Sequence, residues 1–428
     1  MGGRDQFDWN PKAHQPHNPL SKWQRNLRSI RDLPRHLHLT ARVLALAPAL
    51  LGRYRLLRDT KPAPRPIGDP FGVAIELPEG NDESLLAALR ELDITSSIIR
   101  IAPWEPRLQA TAELLRALES SGVELSVACL QDRRSVVDSS FWSDHLQAVF
   151  EALPGPLRRF EIGHAWNRRK WGVWHLGEYL RLVETAAEVA DSHPGVSLMG
   201  PAVIDFEYHF TIGALRHPLC RRVFDTVTAL LYVDRRGAPE TPQMGFALSQ
   251  KLRLLRALTD ITMPAGTPCW ITEFNWPISV PGEYSPVALD KGFDPEECAN
   301  YLVRYFLLAI ATGACERLFW WQLAAHGYGL VDNLDGRWQR RPAFHAFRHL
   351  VQRLRGGTFL KLELTRDLYA FHYTDRDGLR WAAAWSVSGV HTAPWRQEIV
   401  VAFNRDGRHI DDPAGTQLNG APCYFQLT

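Results

Sequence analysis

Ionisable side chains stand at the ends of several short apolar runs, where a predicted strand ends and a loop begins. The run WITEF, residues 270–274, contains Glu273, a carboxylate that can act as a nucleophile or a base. In SSIIRIA, strand alternation points Arg100 inward near the same rim, and a buried guanidinium requires an anion. Two partners remain open: Glu273, which gives a reactive site, and Glu76, which gives a structural ion pair. Tyr232, which ends TVTALLY, can hydrogen-bond a carboxylate on the next strand.

A second set of ionisable groups follows the runs PAVI and RRFEIG. Asp205 and Glu207 stand two residues apart, so both point the same way if the chain stays extended. His164 is a third candidate, since an imidazole can donate a proton near neutral pH. Each has a structural alternative: Asp205 as a helix cap, Glu207 as the partner of Arg168 or Arg169, and His164 as a neutral wall residue. The sequence leaves open which of the three is a proton donor.

Cations cluster in two stretches, NRRKW at residues 167–171 and DRRGAP at residues 234–239. Arg168 and Arg235 in these stretches can each bind a carboxylate or a phosphate through two parallel hydrogen bonds. Because both stretches follow predicted strands, we expect them on the same rim as the carboxylates, together with Asn167. Such a rim fits an anionic sugar, and ordinary solvated loop charge is the alternative.

The chain contains 15 Trp, whose broad apolar rings stack on sugars or fill a core. Trp320 and Trp321 are neighbours in ERLFWWQ, so only one of them can face the interior of a barrel. We expect the inward ring to form the floor of a sugar site. The alternative is that both rings belong to the core.

Eight apolar, β-rich runs alternate with amphipathic helical stretches from residue 71 onwards, which predicts an α/β fold, a (β/α)8 TIM barrel. Active sites of such barrels lie at the C-terminal ends of the strands. A doubly wound sheet is disfavoured because no GxGxxG follows any run. The fifth connection, FTIGALRHPL, is the weakest helix. The runs are FGVAIEL (71–77), SSIIRIA (96–102), VELSVACL (123–130), RRFEIG (158–163), VSLMGPAVI (196–204), TVTALLY (226–232), TPCWITE (267–273) and ERLFWWQ (316–322).

We expect three parts: a basic helical arm and linker (1–68), the barrel (69–356) and a small C-terminal β-sandwich module (357–428). The arm carries 13 Lys and Arg against four Asp and Glu, whereas the remainder carries 36 against 43. Residues 21–58 mix Arg with Leu, Val and Trp at helical spacing. They are predicted either to lie on an anionic membrane surface or, the favoured alternative, to dock on the acidic body of the protein itself. Nucleic acid is disfavoured because the arm contains no recognisable binding motif.

The six cysteines show no metal-ligand spacing, which favours small buried thiols in a reducing compartment and no metal or other cofactor. The N-terminus lacks the apolar region of a secretory signal, and no stretch of about 18 apolar residues is present. We therefore predict a cytoplasmic protein, peripheral to the inner membrane if the arm binds lipid.

The motifs at the strand ends resemble those of clan A glycoside hydrolases, which are retaining (β/α)8 enzymes, and in style those of family 39 and its relatives encoded in bacterial exopolysaccharide clusters. WITEF resembles the strand-7 motif, and the resemblance assigns the nucleophile to Glu273. RIAPWE, LYVD and GLVDNLDGRWQRRPAFHAF resemble the strand-2, strand-6 and closing-helix motifs. The resemblance covers residues 71–355 and implies an oligo- or polysaccharide ligand.

The run FEIGHAWN, residues 160–167, resembles the strand-4 motif E-I-W-N-E-P-N but departs from it at the decisive position. Where the family has an Asn followed by the general acid/base Glu, this chain has His164 and Ala165, while the later Asn is kept as Asn167. On strand 6 the family often has a His two residues before the Tyr, and here that residue is Leu230. The nucleophile half of the site is therefore expected to be intact and the acid/base half to be missing.

Two functions follow from the resemblance. The first is a retaining glycosidase acting on a bacterial cell-envelope polysaccharide or an anionic glycan, with Glu273 as nucleophile and a non-standard acid among Asp205, Glu207 and His164. The second is a catalytically inactive sugar-binding or scaffold protein of envelope polysaccharide or lipopolysaccharide biosynthesis, which the loss of the acid at Ala165 favours.

Overall fold

A computed structural model of the protein describes residues 9–17, 23, 33–76, 82–104, 107–152, 158–234, 237–285 and 289–428. The N-terminal part contains a two-stranded ribbon, β1 (Trp9–Asn10) and β2 (Gln15–Pro16), a long helix α1 (Leu33–Asp59) and a two-residue strand β3 (Arg65–Pro66). Most of residues 18–32, which belong to the predicted basic arm, lie outside the described residues, as does Arg235.

Eight parallel strands close into a barrel in chain order, which confirms the predicted (β/α)8 fold. All eight predicted runs form these strands, and the bounds differ by no more than two residues. The strands are β4 (Phe71–Ile75), β5 (Ser96–Ile101), β6 (Glu124–Cys129), β7 (Arg158–Ile162), β8 (Val196–Ile204), β9 (Phe224–Leu230), β10 (Cys269–Phe274) and β11 (Arg317–Trp320).

Helices cover the outside of the barrel. The predicted weak fifth connection is two short helices, because Pro218 begins a new helix after Leu215 ends the previous one. Further short 3₁₀ helices span Arg169–Trp171, Leu289–Lys291 and Leu334–Gly336. The α-helices after α1 are α2 (Asp82–Leu92), α3 (Leu108–Ser120), α4 (Arg133–Val137), α5 (Ser139–Ala152), α6 (Leu176–Asp191), α7 (Tyr208–Leu215), α8 (Pro218–Val223), α9 (Leu248–Thr262), α10 (Pro295–Thr312) and α11 (Pro342–Leu354).

The barrel interior is filled by large rings from β10 and β11 together with small side chains from β4 and β6. Trp270 and Phe319 pack there with Ala74 and Ala128. At the N-terminal end, Glu124 accepts hydrogen bonds from Arg159 and Arg317, whose guanidinium carbons lie 5.4 and 5.2 Å from the centre of the Trp270 ring. The cavity that contains Glu273 lies at the opposite rim.

Helix α1 docks on the barrel, as the favoured alternative for the arm predicted. Its Tyr54 is buried and packs on Phe246, and Arg53 donates to Asp260 of α9 at 2.7 Å. The opposite face of α1 exposes Leu33, Leu37, Leu44 and Leu51. Within the described part of the chain, no helix has the length and apolarity needed to cross a bilayer.

The C-terminal residues form a six-stranded antiparallel sheet in the order β18-β20-β16-β15-β14-β3, which β3 of the linker completes at one edge. Alternation on β16 turns Trp381, Ala383 and Trp385 towards the barrel core, while Ala382 and Ala384 pack under the segment that carries β17 and β19. The sheet is thus covered on both faces, as predicted for a β-sandwich. The strands from β12 onwards are β12 (Val331–Asp332), β13 (Gln339–Arg340), β14 (Thr358–Thr365), β15 (Leu368–Thr374), β16 (Arg380–Ser386), β17 (His391–Thr392), β18 (Ile399–Phe403), β19 (Gln417–Leu418) and β20 (Cys423–Leu427).

Candidate active site

Glu273 lies at the C-terminal end of β10 with both carboxylate oxygens held by donors. Arg100 donates to Oε2 and the hydroxyl of Tyr232 donates to Oε1. The side chains of Arg100 and Glu273 are only 6% and 7% exposed, so this is a buried ion pair. Glu76, the alternative partner of Arg100, pairs with His14 instead. Burial and the nearby Glu273 hold the pKa of Tyr232 well above its usual value, so this phenol keeps its proton and remains a donor.

An irregularity in β10 brings Glu273 into the interior. In a regular strand Thr272 and Glu273 would point to opposite faces. The register between β9 and β10 shifts between Ile271 and Glu273, and both Thr272 and Glu273 reach inward. Bulges of this kind re-aim side chains next to active sites. Simple alternation counted along the sequence does not reveal this shift.

A second layer of polar groups lies beneath Glu273. Glu161, which is 1% exposed, accepts a hydrogen bond from Thr272 Oγ1 at 2.5 Å. Burial raises the pKa of Glu161 to about 7, against the opposing effect of hydrogen bonds from Thr272 and Thr228. Sequence reasoning missed this residue, although it stands in the quoted run FEIGHAWN. A buried Glu inside a barrel strand was the available signal.

His164 enters the site after a sharp turn at Gly163, whose φ is +84° and where a Cβ would collide with the ring of Tyr179. Its Nε2 lies 3.1 Å from Arg100 Nη2 and 3.6 Å from Glu273 Oε2. Burial, followed by the charges of Arg100 and Lys170, holds the pKa of His164 well below its usual value. The ring is therefore neutral, and Nε2 accepts from a guanidinium that can only donate. This arrangement does not favour His164 as a proton donor.

Asp205 and Glu207 line the same cavity as Glu273, but both bind one cation. Arg168 donates to Asp205 at 2.5 Å and to Glu207 at 2.7 Å, and Asn167 also donates to Glu207 at 2.8 Å. Burial lowers the pKa of Arg168, but its bonds to the two carboxylates outweigh this effect and leave the pKa raised. Asp205 does not cap α7, whose N-cap is Glu207 without a side-chain cap bond. Both carboxylates therefore act as hydrogen-bond acceptors of Arg168 in this arrangement, and neither points to a leaving group as a free acid.

Ala165 leaves no opening where the resemblance expects an acid. The residue is fully buried and its backbone N–H donates to the carbonyl of Ala202 at 3.0 Å. It packs in an apolar cluster with Leu130, Trp171 and Leu230. The position of the missing carboxylate is therefore filled by close packing.

The N-terminal ribbon forms part of the wall of the central cavity, which has a volume of about 500 Å³. The carbonyl of His14 accepts from Arg100 Nη1 at 3.2 Å, and the ring of Trp9 lies 5.3 Å from Trp104 and 6.0 Å from Trp171. Sequence reasoning placed these residues in an undifferentiated basic arm. No local pattern in residues 9–17 indicates that they reach a barrel mouth more than 80 residues away along the chain.

Lys170 is the second residue that sequence reasoning did not single out. Its side chain lines the central cavity and donates to Gln15 Oε1 at 2.5 Å. Burial lowers the pKa of Lys170 to about 8, while the nearby Glu273 opposes the shift. The ammonium group therefore remains charged at neutral pH inside the cavity.

The two adjacent tryptophans lie in different environments. Trp321 lines the cavity, and the guanidinium carbon of Arg100 lies 3.4 Å from its ring centre, so one face of the ring is covered. Trp320 is not a site residue: it packs against Phe274 and Trp276 outside the barrel interior. Among the predicted site residues, Glu273, Arg100, Tyr232, His164, Asp205, Glu207, Arg168 and Trp321 meet in this cavity, whereas Asn167 lines the neighbouring one.

The arrangement can support attack by a carboxylate on an electrophilic carbon at the mouth. Glu273 is oriented from two sides, by the cation of Arg100 and by the neutral phenol of Tyr232. Within the described residues, no cluster of three or more His, Cys, Asp and Glu has the geometry of a metal site.

Solved structures of several glycoside hydrolases share this fold. A family 39 glycoside hydrolase from the gut symbiont Bacteroides cellulosilyticus WH2 has a TM-score of 0.61 at 13% identity, over 85% of this chain and 81% of that chain. A GH30 endoxylanase from Clostridium papyrosolvens C71 has a TM-score of 0.58 at 13% identity, over 86% and 97%. A family 51 α-L-arabinofuranosidase from Bifidobacterium longum has a TM-score of 0.55 at 12% identity, over 86% and 97%. Neither a protein-family model nor a curated protein matches the sequence. The likeness is one of fold, and it extends over three families rather than family 39 alone.

Proposed function

We propose that the protein is a retaining glycoside hydrolase or transglycosylase that acts on a bacterial cell-envelope polysaccharide or another anionic glycan, with Glu273 as its nucleophile. One observation carries the proposal: a buried carboxylate at the C-terminal end of the seventh barrel strand is held on both oxygens by Arg100 and Tyr232. Fixed orientation leaves the carboxylate little freedom to lose when it attacks an anomeric carbon.

The acid half of the reaction constrains the substrate. A retaining glycosidase protonates the leaving oxygen through a second carboxyl group roughly 5 Å from the nucleophile. Asp205 and Glu207 are paired with Arg168, and His164 accepts a hydrogen bond from Arg100. None of the three is a ready donor in this arrangement, so a non-standard acid requires Arg168 to release Asp205 or Glu207. The enzyme is therefore expected to favour substrates whose leaving group departs without a proton.

Covalent trapping tests the nucleophile independently of the acid. Activated 2-fluoro glycosides, uronic acids included, are incubated with the protein, and the intact mass and a peptide digest report any glycosyl adduct. An adduct on Glu273 is expected for the wild type and for Glu113→Gln, a matched control at an exposed glutamate on α3. None is expected for Glu273→Gln. A folded wild-type protein that forms no adduct with any member of the panel would refute the enzymatic function.

The burial of Ala165 in an apolar cluster favours a second candidate function, an inactive sugar-binding or scaffold protein of envelope polysaccharide or lipopolysaccharide biosynthesis. Binding to a glycan array tests this second function. An inactive binding protein should bind the same glycan with equal affinity as the wild type and as Glu273→Gln, and neither protein should hydrolyse that glycan.

We also propose that α1 holds the protein at the cytoplasmic face of an anionic membrane. Leu33, Leu37, Leu44 and Leu51 are between 46% and 66% exposed, and their spacing places them within about 40° on the helix. Arginines follow this stripe in the last turns of the helix, and residues 1–68 are strongly basic. Co-sedimentation with vesicles containing phosphatidylglycerol is expected to exceed that with neutral phosphatidylcholine vesicles, and Leu37→Glu with Leu44→Glu is expected to abolish the binding. Equal sedimentation of the variant and the wild type would exclude α1 as the contact.

A further inference from the structure

A second and larger cavity lies between α1, α6 and α7, beside the central cavity that contains Glu273 and is called the catalytic cavity below. Its volume is about 800 Å³, which is within the range of ligand sites. The walls are mainly apolar side chains and rings, and α1, which carries the exposed leucine stripe, supplies one of them. We call this cavity the apolar groove; its lining includes Leu39, Trp166, Trp174, Leu176, Leu180 and Phe210.

The apolar groove is adjacent to the site of Glu273. Arg168 and Glu207 line both cavities, so their ion pair stands between the groove and the catalytic cavity. Residues 167–170, on the loop after β7, supply walls to both: Asn167 and Arg169 to the groove, and Lys170 to the catalytic cavity. A ligand with one end in each cavity would cross at Arg168.

The charges around the groove favour an anion at this crossing. Four cations, Arg42, Arg168, Arg169 and Lys170, line the two cavities around the crossing, against two carboxylates, Asp205 and Glu207, which both bind Arg168. In the part of the chain that the structure describes, no hydrogen bond or ion pair occupies the guanidinium of Arg42. Lys170 lies on the catalytic side. Arginine and lysine together are typical phosphate ligands.

We propose that the substrate is a saccharide joined through a phosphate to a long apolar chain. The chain lies in the apolar groove, the phosphate contacts Arg168 and Lys170, and the sugar lies over Glu273. The assignment of the sugar end rests on the proposed function of Glu273. The exposed leucines of α1 fit the same substrate, because such a chain is drawn from a membrane surface.

The chemistry of a phosphate leaving group accounts for the missing acid. Glu273 attacks the anomeric carbon, the bond from that carbon to the phosphate oxygen breaks, and the electron pair leaves with the phosphate, which stays on its apolar chain. A phosphate monoester is already an anion at neutral pH, with a second pKa of about 6, so it departs without protonation. Water or a sugar hydroxyl then attacks the same carbon and frees Glu273, and the proton of the attacking hydroxyl passes to the carboxylate of Asp205 and on to solvent.

Calorimetric titration of the full chain with dodecyl phosphate, below its critical micelle concentration, tests the proposal. Dodecyl phosphate is expected to bind at least about a hundredfold more tightly than butyl phosphate, since each buried methylene contributes a factor of about four. It is expected to bind at least about tenfold more tightly than dodecyltrimethylammonium, which carries the opposite charge. Farnesyl phosphate and oleoyl lysophosphatidic acid, compared in parallel, distinguish an isoprenoid chain from an acyl chain.

Leu180→Glu places a charge in the apolar groove. The variant is expected to bind dodecyl phosphate no more tightly than butyl phosphate. Leu86→Glu is the matched control, because it alters a half-buried leucine on α2 beside a small cavity remote from the groove. This variant should keep the preference for dodecyl over butyl phosphate. Thermal melting checks that both variants fold. If Leu180→Glu does not fold, Gly177→Trp replaces it, because Gly177 is exposed, lines the same groove and can carry a ring that blocks it.

The outcomes separate this proposal from the proposed function. Trapping at Glu273 without any preference for dodecyl over butyl phosphate would overturn the lipid-phosphate substrate and leave the glycosidase standing. Chain-length-dependent binding without trapping would overturn the glycosidase alone. A wild-type dimer that Leu180→Glu dissociates, with no binding of dodecyl phosphate, would make the groove an interface between copies of this chain and refute the proposal.

Discussion

Glu161→Gln is the substitution that tests the electrostatics beneath the nucleophile. The carboxyl group of Glu161 is 1% exposed and accepts a hydrogen bond from Thr272, and burial raises its pKa from 4.5 to about 7. Glutamine has nearly the same shape, can accept the same bond and carries no charge at any pH. A comparison of the two proteins therefore isolates the ionisation of this one group.

The sign of the effect follows from the raised pKa. Folding favours the protonated form, so the stability that Glu161 contributes is fully present below pH 4.5 and is lost as the pH rises through about 7. This rise in the pKa of Glu161, from 4.5 to about 7, corresponds to about 3 kcal/mol in the free energy of unfolding. The glutamine variant should gain this amount relative to the wild type between pH 4 and pH 8.

Thermal melting of both proteins over this pH range measures the difference. For a chain of 428 residues, with an unfolding entropy of about 2 cal/mol/K per residue, 3 kcal/mol corresponds to about 3 °C. The melting temperature of Glu161→Gln, taken relative to the wild type, should therefore rise by about 3 °C from pH 4 to pH 8. Glu113→Gln, whose side chain stays in water, is the control and should show no such trend. A flat difference at Glu161 would mean that the positive charge of Arg100, and not burial, governs its ionisation.

Three further predictions concern the same site. Arg100→Met leaves the buried carboxylate of Glu273 without its cation and should lower the free energy of unfolding by about 3–5 kcal/mol, whereas adding Glu273→Gln should recover most of the loss, as denaturant unfolding curves would show. Ala165→Glu should not create a working acid but should destabilise the fold by at least about 2 kcal/mol, because the position is fully buried among apolar side chains; turnover of an unactivated glycoside by a stable variant would contradict this. Lys170 loses its charge as the pH rises through about 8, so the affinity for dodecyl phosphate should fall above that pH in the wild type and stay constant in Lys170→Met.

Hydrophobic periodicity was sufficient to determine the architecture. Each barrel strand is a short apolar run with its own helix, and a run buried on both faces is recognisable without knowing its neighbours. The predicted runs therefore match β4–β11 within two residues. The same local logic located Glu273 at a strand end, whereas the absence of an acid at Ala165 was recognised only through the resemblance to the strand-4 motif of clan A glycoside hydrolases.

The tertiary structure alone decided which groups meet. Arg100 pairs with Glu273 because the register shift in β10 turns Glu273 inward. Glu76 is not available as its partner because it pairs with His14. Asp205 and Glu207 were candidate proton donors, and a pair between Glu207 and Arg168 was the alternative for Glu207; only the folded chain shows that both carboxylates bind Arg168.

The contacts of the N-terminal arm could not be predicted from the sequence either. The burial of Lys170 and the apolar groove both arise where the N-terminal segments pack against loops distant in sequence. Periodicity reports which face of an element is buried. It carries no information about what lies against that face, because such contacts depend on the closure of the barrel and on chain segments that meet only in the folded state.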